Sequence, residues 1–220
     1  GSGSKMNLTP FVPRVVPFAA FIALLAASPL LEGFADARWL AIARYAVAGT
    51  LLAWFWRSYV ELERAPGAWL PSLLVGVVVG VLWVGLDFGW THLGDAGAGY
   101  VPLRADGSLD PVLLSLRLIG FVLVVPVMEE LFWRSFLMRR IDHRDFLALD
   151  PRATSTVALV LASAVFALEH RDWLAGLIAG LAYGIIYRRT GNLRLCIASH
   201  ASTNLTIAGW VLATGEWRHW

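Results

Sequence analysis

Apolar residues run through the chain in long stretches, broken by short connections that are either basic or rich in glycine. The stretches cover residues 12–31, 38–57, 68–87, 110–133, 154–170, 173–188 and 193–214, most of them near the roughly 20 residues that carry a helix across a bilayer. The pattern predicts an all-α polytopic transmembrane helical bundle of about seven spans. The range is six to eight, because the fifth and sixth stretches are short, are divided only by the turn His170–Asp172, and could be partly re-entrant. Ala26, Ala27 and Ser28 imitate a signal-peptidase site. The apolar run continues through Leu31 and many more follow, so the first stretch is kept as a helix.

The connections differ in charge. Lys5 and Arg14 precede the first stretch, Arg57 and Arg64 follow the second, Arg139, Arg140, Arg144 and Arg152 follow the fourth, and Arg188, Arg189 and Arg194 follow the sixth. The alternate connections hold Arg38, then Arg104 among Asp95, Asp106 and Asp110, then Arg171. Basic residues stay on the cytoplasmic side, which predicts a cytoplasmic N-terminus and an external C-terminus, in a bacterial inner membrane. Residues 88–109, with Gly94, Gly97, Gly99, Pro102 and Gly107, read as an irregular extracytoplasmic loop. Trp90, Tyr100, Trp173, Trp210, Trp217 and Trp220 fall near span ends, where amphipathic rings sit at the headgroup boundary.

Composition strengthens this picture. Hydrophobic residues make up 58% of the 220 and charged residues 15%, with a mean hydropathy of +0.63, values that soluble domains rarely reach. The net charge of +2 is spread over short clusters rather than one stripe, which argues against nucleic acid as a partner. A single cysteine, Cys196, excludes an internal disulfide and a thiolate metal cluster. Gly1 to Lys5 read as an expression remnant ahead of Met6; residues 6–109 form the N-terminal helices and loop, and 110–220 a helical core, within one membrane domain.

The candidate chemistry lies in polar residues that interrupt the apolar stretches. Glu129, Glu130 and Arg134 stand in the fourth, where each mid-membrane charge costs about 2.5 to 3.5 kcal/mol and therefore calls for a partner or a purpose. Glu130 and Arg134 are four apart, acid first, the better order for a helical ion pair. Glu129 points about 100° away and is left free to take a proton from water, with the reverse assignment of the two glutamates kept open. Phe166 and His170 share a helical face, as do His200 and Asn204. Taken singly, these are as well explained by an interfacial histidine or by interhelical hydrogen bonding. Depth brings them together: at 1.5 Å per residue, Glu129 stands about 18 Å from Ile141, His170 about 24 Å from Thr154, and His200 with Asn204 about 10 to 17 Å from Leu193. Those starting points lie on one side of the membrane, so all four could face one cavity.

In order along the chain, Glu129 to Arg134 reads EExxxR, Phe166 to His170 FxxxH, and His200 to Asn204 HxxxN. These motifs resemble those of the CAAX prenyl protease and bacteriocin-processing (CPBP) family, over roughly residues 110–214. The resemblance implies an intramembrane peptidase in which Glu129 and His170 activate water and His200 and Asn204 stabilise the oxyanion. Glu130, Arg134 and Phe166 then support them, and 110–220 is the catalytic core. The stretch from Val124 to Arg139 also resembles a bacterial subgroup associated with exosortase-type protein sorting. The implied partner is a peptide or membrane-protein substrate, lipidated or not. Two departures are a count of seven spans where eight are usual for the eukaryotic prenyl proteases, and an N-terminal half without a family motif. No cofactor is required. A zinc ion on Glu129, His170 and His200 is the open variant, without an HExxH run. Ser199 and Ser202 flank His200 but do not face it. Two other classes account for buried polar residues: a non-catalytic membrane scaffold, chaperone or immunity protein of the same fold, and a proton-coupled transporter using Glu129 and Glu130.

Overall fold

A computed structural model describes residues 9–63, 66–95, 97 and 99–220. The proposed N-terminal remnant and the basic residues Lys5 and Arg64 lie outside them. Seven long helices are found among the described residues, one for each apolar stretch: α1 Val12–Leu31, α2 Ala37–Trp54, α3 Trp69–Gly85, α4 Pro111–Asp142, α5 Thr156–Leu168, α6 Trp173–Thr190 and α7 Leu193–Thr214. The described residues contain no β-strand, only an isolated bridge between Leu103 and Leu109 in the long loop.

Helices α1 and α4 are long and apolar enough to cross a membrane, while α3 and α5 are apolar but shorter. By length and hydropathy, two of the seven expected spans therefore qualify. The others are diluted by arginines at Arg38 and Arg44 in α2 and Arg188 and Arg189 in α6, and by the hydroxyl, imidazole and amide groups of α7.

Helix ends follow local chemistry. Asp36, Asp110, Ser155 and Asn192 cap α2, α4, α5 and α7 by accepting backbone N–H groups, which satisfies donors that a helix start leaves unpaired. Gly191 and Gly215 close α6 and α7 at φ +67 and +74, where a side chain would be strained. Three boundaries differ from the expected ones. The chain leaves α2 at Trp54 and tightens into a 3-10 turn over Trp56–Ser58. Helix α4 runs on past residue 133 to Asp142, because Arg134, Ser135, Met138 and Arg139 are buried against the bundle and only its last turn, from Arg140, is exposed. Helix α5 stops at Leu168, so His170 sits on the turn beyond it, its N–H donating to Ala167 O at 3.1 Å.

Small residues set the packing. A Cβ on Gly76 of α3 would collide with the Ser199 carbonyl of α7, and one on Gly80 with Thr206 and the Thr203 carbonyl. Thr203 Oγ1 donates to Gly76 O at 2.9 Å across the contact. Gly176, Gly180 and Gly184 of α6 lie in turn against Ala167, Ser163 and Leu159 of α5. This antiparallel seam has a small residue every fourth position, which lets two backbones approach. The first seam fixes His200 and Asn204, and the second fixes the end of α5 before His170. On the outer faces Val78 and Val81 of α3, Leu161 and Leu168 of α5 and Leu123 of α4 stay exposed. The protein is thus apolar outside as well as inside, as a lipid solvent requires.

Helix α4 is irregular. It widens into π-helical turns at Gly120–Val124 and Leu131–Met138 on either side of the α-helical Val125–Glu130. Pro126 accounts for the first. In the wide register Val125 N–H donates to Gly120 O, so the next bond would run from residue 126 to Phe121 O, and proline has no N–H. Asn204 Nδ2 donates to that carbonyl at 2.7 Å instead.

Candidate active site

A cavity of about 320 Å³ opens between the helices, and Glu129, Phe166, His170, Tyr183, His200 and Asn204 all line it. The four residues expected to be catalytic therefore meet, although they come from α4, the turn after α5, and α7. The core around them is tightly filled: Met128, Leu131, Phe166, Tyr183 and Cys196 are buried. Cys196 is thus a packed apolar residue, its Sγ directed at Tyr183 O.

Glu130 is fully buried and shared. Its Oε2 lies 3.2 Å from Arg134 Nε, the ion pair that the four-residue spacing predicts. Its Oε1 lies 2.9 Å from His200 Nδ1, a partner that the spacing does not reveal. Arg134 is also stacked over the Phe166 ring, 4.8 Å from its centroid, a cation–π contact that gives the buried guanidinium a second neighbour. Phe166 in turn carries His170: the rings are 4.5 Å apart, and His170 Nδ1 is 2.8 Å from Phe166 O. One chain of contacts thus runs from His200 through Glu130, Arg134 and Phe166 to His170.

Glu129 is 5% exposed, and its Oε2 is buried without a hydrogen-bond partner among the described residues. His200 Nε2 stands 3.9 Å from that oxygen. The gap is too long for a direct hydrogen bond and leaves the carboxylate available to a third party. Tyr183 stacks on the other side of His200, centroids 4.9 Å apart, and donates its hydroxyl to Thr203 Oγ1 at 2.6 Å. The imidazole is therefore held by a carboxylate at one nitrogen and by a ring on its face.

The turn bearing His170 has its own clamp. Asp172 accepts from Trp83 Nε1 at 3.0 Å, lies 2.9 Å from His92 Nδ1, and pairs with Arg171 at 3.0 Å. Trp83 also meets the His170 ring edge to face at 5.3 Å. His92 Nε2 reaches Asp87 at 2.6 Å. Burial works to raise the pKa of Asp87, but the His92 hydrogen bond and the Arg218 charge outweigh it and hold the carboxyl below its usual range. Trp90 and Trp173 lie against each other here, with Trp173 Nε1 donating to Trp90 O at 3.1 Å.

At the opposite end of the bundle Arg14 lies inside α1 rather than ahead of it. It is buried and pairs with Glu61 at 2.5 Å. Ser135 also donates to Glu61, and Arg139 Nη2 to Ser135 Oγ at 2.7 Å. Burial pushes the Glu61 pKa up, and the Arg14 and Ser135 hydrogen bonds more than reverse it, leaving the carboxyl below the ordinary value of 4.5.

Sequence reasoning did not single out Tyr183, Asp172, Glu61, Arg44 or Arg117. For the two arginines the signal was available, since both interrupt apolar stretches as Glu129 does. Among the described residues no group of three or more His, Cys, Asp or Glu side chains is arranged to hold a metal ion. Glu129, His170 and His200 thus share the cavity without forming a ligand set.

Compared with protein families, residues 111–206 match the family described as type II CAAX prenyl endopeptidase, Rce1-like. The matched segment contains every residue from Glu129 to Asn204 discussed above, and it bears out the resemblance carried by EExxxR, FxxxH and HxxxN. With its apolar helices, the chain is a membrane protein similar to CAAX proteases. No curated protein and no solved structure matches it.

Proposed function

We propose that the chain is an intramembrane endopeptidase that hydrolyses a peptide bond in or near the bilayer, using water activated by Glu129 and His170. The observation that carries this reading is the convergence of Glu129, His170, His200 and Asn204 on one cavity, with Oε2 of Glu129 buried and without a hydrogen-bond partner among the described residues. In the reaction Glu129 takes a proton from water, and the hydroxide attacks the scissile carbonyl carbon. The proton then passes to the leaving amine as the C–N bond breaks. His200, held at Nδ1 by Glu130, donates from Nε2 to the developing oxyanion. Asn204 adds its second amide hydrogen. Such donors, fixed in a water-poor site, stabilise charge where it develops. Glu130, Arg134 and Phe166 orient the reacting groups, and no metal takes part.

The same reading places the helices in a bacterial inner membrane as seven spans, with the N-terminus in the cytoplasm. Support comes from the exposed apolar faces of α3, α4 and α5 and from the clustering of Arg57, Arg140, Arg144, Arg152, Arg188 and Arg189 at one end of the bundle. The substrate is a peptide or membrane-protein segment, with or without a lipid.

The test uses purified protein in nanodiscs and a library of quenched fluorescent peptides, with and without a lipid chain. Glu129→Gln and His170→Ala should each lower turnover at least about 10³-fold, a loss in the range of removing a principal catalytic group, with thermal unfolding unchanged. Chelators should leave turnover within about twofold. No cleavage by the parent protein sinks the peptidase reading, full turnover in both variants overturns the roles of Glu129 and His170, and loss on chelation with recovery on zinc makes it a metallopeptidase.

A further inference from the structure

The cavity that holds Glu129 has a second, cationic end. Arg44 of α2 and Arg117 of α4 line it, and both also line an adjoining cavity of about 330 Å³ with Ser28, Glu32, Arg38 and Tyr100, where Glu32 pairs with neither. Neither arginine has an acidic partner. All 16 Asp and Glu residues are among those described, and the ion pairs they form use Arg14, Arg38, Arg104, Arg134, Arg139, Arg152, Arg171 and Arg218. Arg44 Nη1 donates to Ser28 Oγ at 2.8 Å, and Arg117 Nη1 to the Tyr45 hydroxyl, both neutral acceptors. The Nε atoms of both are buried and without a partner among the described residues.

Arg117 is also fixed in place. Its guanidinium lies 5.0 Å from the centroids of Tyr100 and Phe121 and 5.6 Å from those of Tyr45 and Trp220. An aromatic cage holds the planar fork but supplies no counter-charge, and the two arginines repel one another. Two partly buried like charges, each with a buried and idle Nε donor, form a complete site when an anion joins them, and a guanidinium fork suits a planar or tetrahedral oxyanion best.

We propose that Arg44 and Arg117 form an anion-binding subsite of the reaction cavity, and that its occupant is a carboxylate of the peptide substrate. This rests on the peptidase reading above for the identity of the occupant, though not for the existence of the site. Twelve residues separate Arg117 from Glu129, about 18 Å along the helix, or about five extended residues. The carboxylate is therefore carried within a few residues of the bond that is cut. A lipid phosphate offers similar chemistry and is the alternative source of the anion.

The experiment measures binding, so that it does not depend on turnover. The probes are acetyl-Ala-Leu-Ala-Leu-Ala with a free carboxylate and its carboxamide, titrated against the full chain in nanodiscs of neutral phosphatidylcholine. The expected result is at least tenfold tighter binding of the acid, an advantage that falls to within twofold in Arg117→Ala and is partly kept in Arg117→Lys. Arg44→Gln, which leaves the aromatic cage intact, should reduce it several-fold and serves if Arg117→Ala does not fold. Glu129→Gln should keep the preference in full. A protein that prefers the acid but cuts nothing would leave the anion site standing and the peptidase reading in question. Equal binding of acid and amide overturns the proposal, as does a preference that survives in both arginine variants. Stabilisation by phosphatidylglycerol nanodiscs through Arg44 and Arg117, without an acid preference, overturns it in favour of a lipid headgroup.

Discussion

Glu130 holds His200 by its Nδ1 at 2.9 Å, so the glutamate paired by spacing with Arg134 also sets the orientation of a histidine on another helix. The nitrogen left facing Glu129 is Nε2. Glu130 is thus a positioning residue, and its effect should appear in kcat rather than KM. Glu130→Gln, which keeps an oxygen for Nδ1–H, should lower kcat about tenfold, and Glu130→Leu about a hundredfold, the range for groups that orient a catalytic ligand. Steady-state kinetics check this. A KM change with kcat intact would move Glu130 from positioning to substrate binding.

Asn204 completes a helix as well as a site. Removing its amide leaves Phe121 O unpaired, at a cost of about 1 to 3 kcal/mol. Pro126→Ala restores a backbone N–H in the right register, so Asn204→Ala should destabilise the Pro126→Ala protein less than the parent. A double-mutant cycle on thermal unfolding measures the coupling. Additive effects would mean that the Phe121 carbonyl finds another donor.

The α3–α7 seam should tolerate no added bulk. Gly76→Val drives a side chain into the Ser199 backbone and should cost about 2 kcal/mol or more, in the range for overpacking a close contact. Gly85→Ala, where a Cβ meets nothing within 4 Å, is the neutral control. Unfolding temperatures of the two variants decide it.

Glu61 gives the fold an acid limit. Its carboxyl is held below its ordinary value of 4.5, so the ion pair with Arg14 contributes in full above that pH and is lost as pH falls through the lower folded value. Thermal stability should therefore fall progressively as pH drops below the ordinary value of 4.5. Glu61→Gln should remove that part of the pH dependence and lower stability at pH 7 by about 3 kcal/mol, the cost of stranding a buried guanidinium.

Much of this was legible in the sequence, and the rest was hidden for identifiable reasons. Apolar stretches locate seven helices because a lipid-facing helix must be apolar over most of its length. They misplace the end of α4, since Arg134 and Arg139 look like a membrane boundary until Glu130 and Glu61 are seen to pair with them. Four-residue spacings give Glu130 with Arg134 and Phe166 with His170, contacts within one element or its end. The bond from Glu130 to His200, the clamp of Asp172 by Trp83 and His92, and the stack of Tyr183 on His200 join residues 17 to 89 positions apart, and no local period encodes them. Arg44 and Arg117 fall between the two cases: each is visibly out of place in an apolar stretch, but nothing local says that the hydrogen-bond acceptors they meet would both be neutral.

The wide turn at Gly120–Val124 also acts as an indexing device. Across twelve residues an unbroken α-helix would leave Arg117 and Glu129 about 120° apart, on different sides of α4. A π turn absorbs one residue into the winding, which cuts the offset to about 20° and brings both side chains to the same cavity. A proline that would be a flaw in a regular helix thus sits beside a one-residue phase shift aligning two charges about three helical turns apart on a single meridian. Deleting Leu123 would leave the composition of α4 almost untouched, yet it would rotate the arginine out of the glutamate's line of sight.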